Sequence, residues 1–358
     1  MAAAEAWDAF VDGLREAGER LATEVADLDP EEQADGYRAL VRSLNNQLGR
    51  FEVDRERPEL VPFNEHRSKM FMDNPDVRYW VADIRDDRRY RITGSVGDAV
   101  YQSITAYSST GTLDAAAGAR IDSDDLPVDA DGGFTVTVSP DAPGDGSAWL
   151  RLPPGAKVLW VRQLHHDAAR DRLGWCRIDP LDRPAPPPAI DAERFAHHLT
   201  RLGRGVAAVP ALQAAATRDD REGPNQVRRW TEMAGGAAFT EPGIHYLRGS
   251  WALEPDEALV IEGEAVPSRY WNVLLYSRFL NSLDHRSRPV SRTDGTARLV
   301  DGRYRFVLAA RDPGPAGDWL DTEGRPFGLV VLRFLQPERE PALPTVRRCR
   351  IDDLTAWP

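Results

Sequence analysis

Apolar residues recur at helical spacing through residues 3–25 and 31–50, and beyond position 75 the pattern shifts toward strands. In "DPEEQ" (29–33), Asp29 reads as an N-cap, Pro30 as the first helical residue and Glu32 as part of the first turn. "FTVTVS" (134–139) and "YRFVLA" (304–309) alternate with period two after Asp-Gly turns. "AKVLWVRQL" (156–164) and "FGLVVLRFL" (327–335) are denser apolar runs that suit buried strands. "YRITGSVGDAVYQSITAYS" (90–108) and "ALVIEGEAVPSRYWNVLLYS" (258–277) each predict two strands about a Gly-bearing turn. Between these blocks, the Pro-rich "PLDRPAPPPAID" (180–191) reads as an extended linker. "AERFAHHLTRLGRGV" (192–206) then reads as a helix capped by Asp191, and 219–236 as part helix, part loop.

The strand-rich blocks repeat one another. Ile92, Gly94, Tyr101, Tyr107 and Ser108 match Ile261, Gly263, Tyr270, Tyr276 and Ser277 at an offset of 169. Asp131, Gly132 and Phe134 match Asp301, Gly302 and Tyr304 at 170. "PDAPGDGSAWL" (140–150) echoes "RDPGPAGDWL" (311–320) at the same offset, and Arg162 and Leu164 match Arg333 and Leu335 at 171. A drift of two residues over such a span indicates internal duplication. The expected fold is α+β and β-dominated. It comprises two tandem, pseudo-twofold-related β-sandwich or jelly-roll-like units, each preceded by helical segments. The predicted division is 1–180 and 181–358, with β cores at 76–167 and 246–338.

With 42% hydrophobic and 28% charged residues, the 358-residue chain can build an ordinary globular core. The formal net charge of -12 disfavours nucleic acid as a partner. No basic amphipathic helix offers a membrane contact, no apolar run approaches 18 residues, and the start lacks a signal-peptide pattern, so a cytoplasmic location is expected. Two cysteines, Cys176 and Cys349, exclude a disulfide framework and a cysteine-based zinc site by number.

"DNPDVRYWVADI" (73–84), "YRITG" (90–94), "LWVRQLHHD" (159–167), "LEPDEALVIEG" (253–263), "YWNVLLY" (270–276) and "DPGPAGDWLDTEGRPFG" (312–328) resemble the bacterial family called domain of unknown function 1214. That family is often found beside domain of unknown function 1254. The resemblance implies a β-rich fold and no agreed activity. The family tends to place Asn before the Trp-Leu, where this chain has Asp318.

Duplication also sorts candidate residues, because residues present in both copies are mostly fold-makers. Trp149 and Trp319 are read as packing over their own Pro-Gly turns. Arg162 and Arg333 interrupt apolar strands, so each must find a carboxylate or several carbonyls. Polar residues present in one copy are the better site candidates. His165 and His166, beside Asp167, follow the strand of copy one, and an imidazole near a carboxylate is a candidate general base. Asp321 is the candidate for orienting a substrate and completes the proposed catalytic set. Trp271 and Asn272 replace Gln102 and Ser103, offering a ring and an amide to a mainly apolar ligand. Asp318, Trp319, Thr322, His245, Tyr246 and Asn74 complete the substrate-binding candidates. One main pocket is expected, with Trp271 or Asn272 on one side, the 318–322 loop on the other, and a histidine from His165, His166 and His245 within reach.

The chain lacks a dinucleotide fingerprint, a P-loop, a nucleophile elbow and metal-spaced histidine motifs. Neither a metal site nor a cofactor is assigned. The favoured expectation is an enzyme acting on a small, mainly apolar metabolite by cofactor-independent acid–base chemistry of the hydrolase, lyase or isomerase type. The alternatives are a non-catalytic small-molecule-binding or scaffold protein, and a magnesium-dependent enzyme acting on a diphosphate. "RDDRR" (85–89) and "RDDRE" (218–222) carry the magnesium alternative, although both read as solvated. Homo-oligomer formation stays open.

Overall fold

The computed structural model describes residues 2–108, 116–182, 184, 186, 189–233 and 240–358. Several positions of the 180–191 linker and the end of the 219–236 stretch lie outside these described residues. The chain opens with α1 (Ala3–Glu24) and α2 (Pro30–Leu48). The N–H of Glu32 donates to Asp29 Oδ1 at 2.8 Å, the cap that the sequence announces. Nine strands follow: β1 (Val61–Phe63), β2 (Val77–Asp83), β3 (Tyr90–Gly97), β4 (Tyr101–Ser108), β5 (Ala116–Asp122), β6 (Gly133–Ser139), β7 (Trp149–Arg151), β8 (Ala156–Leu164) and β9 (Leu173–Pro180). After α3 (Ala192–Ala216) and the short α4 (Arg218–Glu222), nine more strands follow. They are β10 (Gln226–Arg229), β11 (Ile244–Ala252), β12 (Glu257–Glu264), β13 (Tyr270–Tyr276), β14 (Ser291–Thr293), β15 (Arg303–Ala309), β16 (Asp318–Asp321), β17 (Phe327–Leu335) and β18 (Thr345–Arg350).

The first nine strands form two open sheets ordered β1-β2-β8-β4-β5 and β7-β6-β3-β9. The second nine form sheets ordered β10-β11-β17-β13-β14 and β16-β15-β12-β18. Adding nine to every label of the first pair reproduces the second. Even the parallel pairing recurs, as β6 with β7 and β15 with β16. The register repeats too. Tyr101 lies opposite Leu164 as Tyr270 lies opposite Leu335.

In each copy, alternation sends one face of both sheets into a shared core. Ile104, Ala106, Leu159 and Val161 meet Ile92, Val136 and Val138 in the first. Val273, Leu275, Leu329 and Val331 meet Leu259, Ile261 and Leu308 in the second.

The paired fold-makers behave alike. Trp149 Nε1 donates to the Ser139 carbonyl at 3.1 Å, and Trp319 Nε1 donates to the Ala309 carbonyl at 3.0 Å. Arg162 donates to Tyr107 Oη at 3.0 Å, and Arg333 donates to Tyr276 Oη at 2.7 Å. Each guanidinium also lies over aromatic faces, Tyr107 and Trp160 for Arg162, Tyr246 and Tyr276 for Arg333. A phenol and ring faces thus help to accommodate each desolvated guanidinium.

The compact units divide differently from 1–180 and 181–358. Unit 1 comprises Met1–Asp27, Leu40–Lys69 and Asp76–Pro210, and unit 2 comprises Leu28–Ala39, Met70–Pro75 and Ala211–Pro358. The reason lies in α3, most of which packs within unit 1. Ala196 and Leu199 join Ala6, while Leu202 and Val206 join Ala17. The crossing with α1 is so close that a Cβ on Gly13 would lie 2.4 Å from the Gly203 carbonyl oxygen. In 219–236, the structure holds α4, the four-residue β10 and a 3₁₀ turn at Trp230–Glu232. Too short for a periodic signal, β10 exists only because β11 offers it an edge.

Candidate functional site

Of the sequence-selected residues, His165 and His166 belong to unit 1 and the others to unit 2. His165, at the end of β8 in unit 1, is fully buried, and its Nδ1 lies 3.1 Å from Asp171 Oδ2. Asp171, not the adjacent Asp167, is therefore its carboxylate partner. Burial pushes the imidazole below its usual pKa, against the opposing pull of Asp171. His166, on the other side of the chain, is half-buried.

In unit 2, Trp271 and Asn272 are neighbours on β13 and therefore face opposite ways. Trp271 enters the inter-sheet core, with Tyr304, Phe306 and Phe334 about its ring. Asn272 faces the outer side and donates to Asn74 Oδ1 at 3.2 Å. There the structure does join three candidates around one fold-maker. Asn272 and Tyr246 are the cross-strand neighbours of Arg333, and Asn74 bonds Asn272. His245, next to Tyr246, is exposed.

The 318–322 segment is committed to structure. Asp318 Oδ2 accepts from the Arg298 N–H at 2.7 Å, and Trp319 is held by Ala309. Asp321 is buried, accepts from Arg288 at 2.7 Å and caps the turn through the Glu323 N–H. Thr322 is buried, with its N–H donated to the Ala309 carbonyl. These side chains stabilise a turn and an ion pair. Within "RDDRE", Arg218, Arg221 and Glu222 are exposed, but Asp220 is buried against Arg248 at 2.5 Å.

A cleft of about 600 Å³ lies instead at the other end of the unit 1 sandwich. Its walls are the loop at Val53–Glu56, the β2–β3 turn at Ile84–Asp87, the turn Gly155–Lys157 and one face of α3. Arg194, His197, His198 and Arg201 form that face, at positions i, i+3, i+4 and i+7. Arg194 donates to the Val53 carbonyl at 3.0 Å. Arg201 and His197 make no hydrogen bond or ion pair among the described residues, and both are exposed. Burial, with Arg194 and His197 beside it, holds His198 below the usual imidazole pKa.

On the opposite wall the carboxylates are occupied. Asp86 accepts from the Gly155 N–H at 2.6 Å, and Asp54 accepts from Arg57 at 2.6 Å. Asp87 is paired with Arg85, whose hydrogen bond brings its pKa down to about 2. The acidic groups therefore lean toward their own arginines and backbone, while the helix presents cationic and imidazole groups to the cleft. A second hollow, of about 620 Å³, shares Asp54, Glu56 and Arg194.

Unit 2 builds the equivalent end differently. The N–H of Ile84 donates to the Lys157 carbonyl at 2.9 Å, as the N–H of Leu253 donates to the Pro326 carbonyl at 2.9 Å. Gly155 and Gly324 both turn at positive φ. Where unit 1 continues with Ala156, unit 2 has Arg325, which forms ion pairs with Glu32 at 2.5 Å and Asp35 at 3.0 Å. Burial lowers the Arg325 pKa, but Asp35, Glu32 and Glu323 outweigh it and hold the charge. The copies thus diverge at this turn: an ion-pair network occupies it in unit 2, and a cleft lies beside it in unit 1.

Sequence reading missed this cleft because it searched the histidines for metal spacing alone, which the adjacent His197 and His198 lack. The i, i+3, i+4, i+7 spacing of basic groups was the available signal. Among the described residues, no group of three or more His, Cys, Asp or Glu is arranged to hold a metal, and no helix is long and apolar enough to cross a membrane.

The profile of the family described as protein of unknown function (DUF1214) matches residues 69–167 and 250–339, together more than half of the chain. The two matches coincide with the two β blocks. The crystal structure of an uncharacterised protein from Burkholderia cenocepacia is similar over 98% of both chains, with 26% identity and a TM-score of 0.90. A protein from Vibrio parahaemolyticus aligns over 97% of this chain and all of its own, at 13% identity and a TM-score of 0.48. The "L-demethylnoviosyl transferase" of Streptomyces niveus is 30% identical over 193 residues. That match covers 50% of this chain and 48% of the transferase, so the chain spans about half the length of this curated relative.

Proposed function

The chain belongs to the DUF1214 family, and from that premise we propose that it binds a small anionic metabolite in the unit 1 cleft. The observation that carries this reading is the Arg194, His197, His198 and Arg201 face, set against a cleft of about 600 Å³ in one copy of a duplicated fold. A volume of this order suits a small molecule. Arg201 and Lys157 supply positive charge, and Arg201 has no competing carboxylate among the described residues. The acidic groups Asp54, Asp86 and Asp87 are already satisfied, so an incoming anion meets fewer bare carboxylates than the composition suggests.

Titration calorimetry with inorganic phosphate, citrate and a hexose phosphate tests the reading. Saturable binding of at least one anion is expected, weakened by salt and at least ten-fold weaker in Arg201→Ala, a loss of about 1.4 kcal/mol. Absence of saturable binding for all three, or unchanged affinity in Arg201→Glu, would overturn it.

A second reading adds acid–base or group-transfer chemistry on the bound molecule. Two observations favour it: burial and the neighbouring Arg194 and His197 hold the His198 imidazole below its usual pKa, as suits a general base, and the Streptomyces niveus relative is named a transferase. On this reading His198→Gln retains anion binding and loses turnover of the bound ester. Equal turnover in the variant removes the proposed base.

A further inference from the structure

At the opposite end of the unit 1 sandwich from the cleft, the two copies differ in kind. Unit 2 fills this inner end with rings: Trp271 stacks on Phe334 at 6.3 Å between centroids, and Tyr304 on Phe306 at 4.8 Å. The equivalent positions of unit 1 are Gln102, Gln163, Phe134 and Val136, smaller at all four positions and polar at two. The two glutamines bond each other, with Gln163 Nε2 donating to Gln102 Oε1 at 2.5 Å and to the Ser95 carbonyl at 3.0 Å. His165 follows Gln163 by two residues, at the end of the same strand.

Three atoms of this cluster are buried without a hydrogen-bond partner among the described residues. They are Gln102 Nε2, Gln163 Oε1 and His165 Nε2, each on a fully buried residue. Buried polar groups are ordinarily paired, and three unmet groups within one sandwich end amount to a specification. The pairing of His165 Nδ1 with the Asp171 carboxylate puts the proton on Nδ1, leaving Nε2 as an acceptor. Gln163 Oε1 is a second acceptor, and Gln102 Nε2 is a donor. The missing partner must offer two hydrogens and at least one lone pair.

We propose that the Gln102–Gln163–His165 cluster is a buried binding site for a small primary carboxamide. Its NH₂ donates to Gln163 Oε1 and His165 Nε2, and its carbonyl accepts from Gln102 Nε2. A lone hydroxyl has one hydrogen too few, an ammonium no lone pair and a carboxylate no hydrogen, while water meets the count and is the competing occupant that the test separates. Gln102, Val136 and Gln163 are smaller than the Trp271, Phe306 and Phe334 that stand at these positions in unit 2, which leaves less side-chain volume at this end. Asp171, which bonds His165, keeps 21% of its side chain exposed to solvent. The site is separate from the anion cleft and stands without it.

The test uses thermal denaturation of the full chain with acetamide as probe and acetone, which matches its shape but lacks the hydrogens, as control. Acetamide is expected to raise Tm saturably and acetone is not. The effect should vanish in Gln163→Leu, and also in Gln102→Leu/Gln163→Leu, which mimics the apolar filling of unit 2 and guards against a folding defect in the single variant. Arg201→Ala should leave the acetamide response intact. A linear fall of Tm with acetamide in wild type and variants alike overturns the proposal. So does an acetamide-soaked crystal in which ordered water alone meets the three atoms.

Discussion

Replacing Arg248 by Met removes one half of the buried ion pair in unit 2. Both side chains are essentially inaccessible, at 2% for Arg248 and 0% for Asp220. Arg248 also donates to the Ala216 carbonyl at 2.8 Å and lies over the Trp230 ring at 5.0 Å. Burial already raises the Asp220 pKa and lowers that of Arg248, so desolvation outweighs mutual attraction in both. Stranding a buried charge costs about 3–5 kcal/mol. For a unit of this size that lowers Tm by roughly 10 °C, at about 2–4 °C per kcal/mol.

Proton uptake by Asp220 limits the loss. A carboxyl whose folded pKa is raised favours the fold below its unfolded value and loses that contribution as pH rises through the folded pKa. Arg248→Met should therefore be more destabilised at pH 8 than at pH 5. Guanidinium denaturation followed by tryptophan fluorescence measures both. Arg248→Met/Asp220→Leu should recover most of the loss, because no charge is then stranded. A single variant within about 1 kcal/mol of wild type, or a double variant no better than the single, refutes the reasoning.

Arg162→Met and Arg333→Met each remove a hydrogen bond to a buried tyrosine and a cation–π contact, which should cost about 1–3 kcal/mol in chemical denaturation, and a large inequality would show that the copies no longer use the arginine alike. Gly203→Ala puts a Cβ 2.8 Å from the Phe10 Cα, so the strain of overpacking, about 1–3 kcal/mol, should exceed the gain of roughly 1 kcal/mol in helix propensity. A more stable variant in the same assay would refute it. The His165 pKa is lowered on folding, so its contribution to stability is present above the usual imidazole value and is lost as pH falls below it. His165→Gln should flatten the stability profile between pH 7 and pH 5, leaving the slope due to His198.

Where one element sufficed, the sequence was legible. Periodicity predicted α1 and α2 within a few residues, and the apolar runs 156–164 and 327–335 are β8 and β17. Edge strands such as β10, β14 and β16 were not legible, because three or four residues carry no period and owe their conformation to a neighbour. Copy-specific polarity was an incomplete guide to a site for a related reason. Copy-specific polarity distinguished Asp321 from Arg151 and His165 from Gln336, but an unmatched residue can serve a private ion pair as readily as a ligand. Asp321 serves Arg288, and Asp220 serves Arg248.

By itself, then, the sequence determined the duplication, the β-rich class and the repeated pairs Tyr101/Tyr270, Trp149/Trp319 and Arg162/Arg333. These follow from patterns that each strand or turn repeats locally. Only the tertiary structure decided which face each residue takes and what covers it. It put Trp271 in the core and Asn272 outside it, gave His165 the partner Asp171, and turned four basic positions of α3 toward a cleft. Those outcomes depend on contacts between residues remote along the chain, such as Arg194 with Val53, or Arg325 with Glu32. No local pattern encodes such a contact.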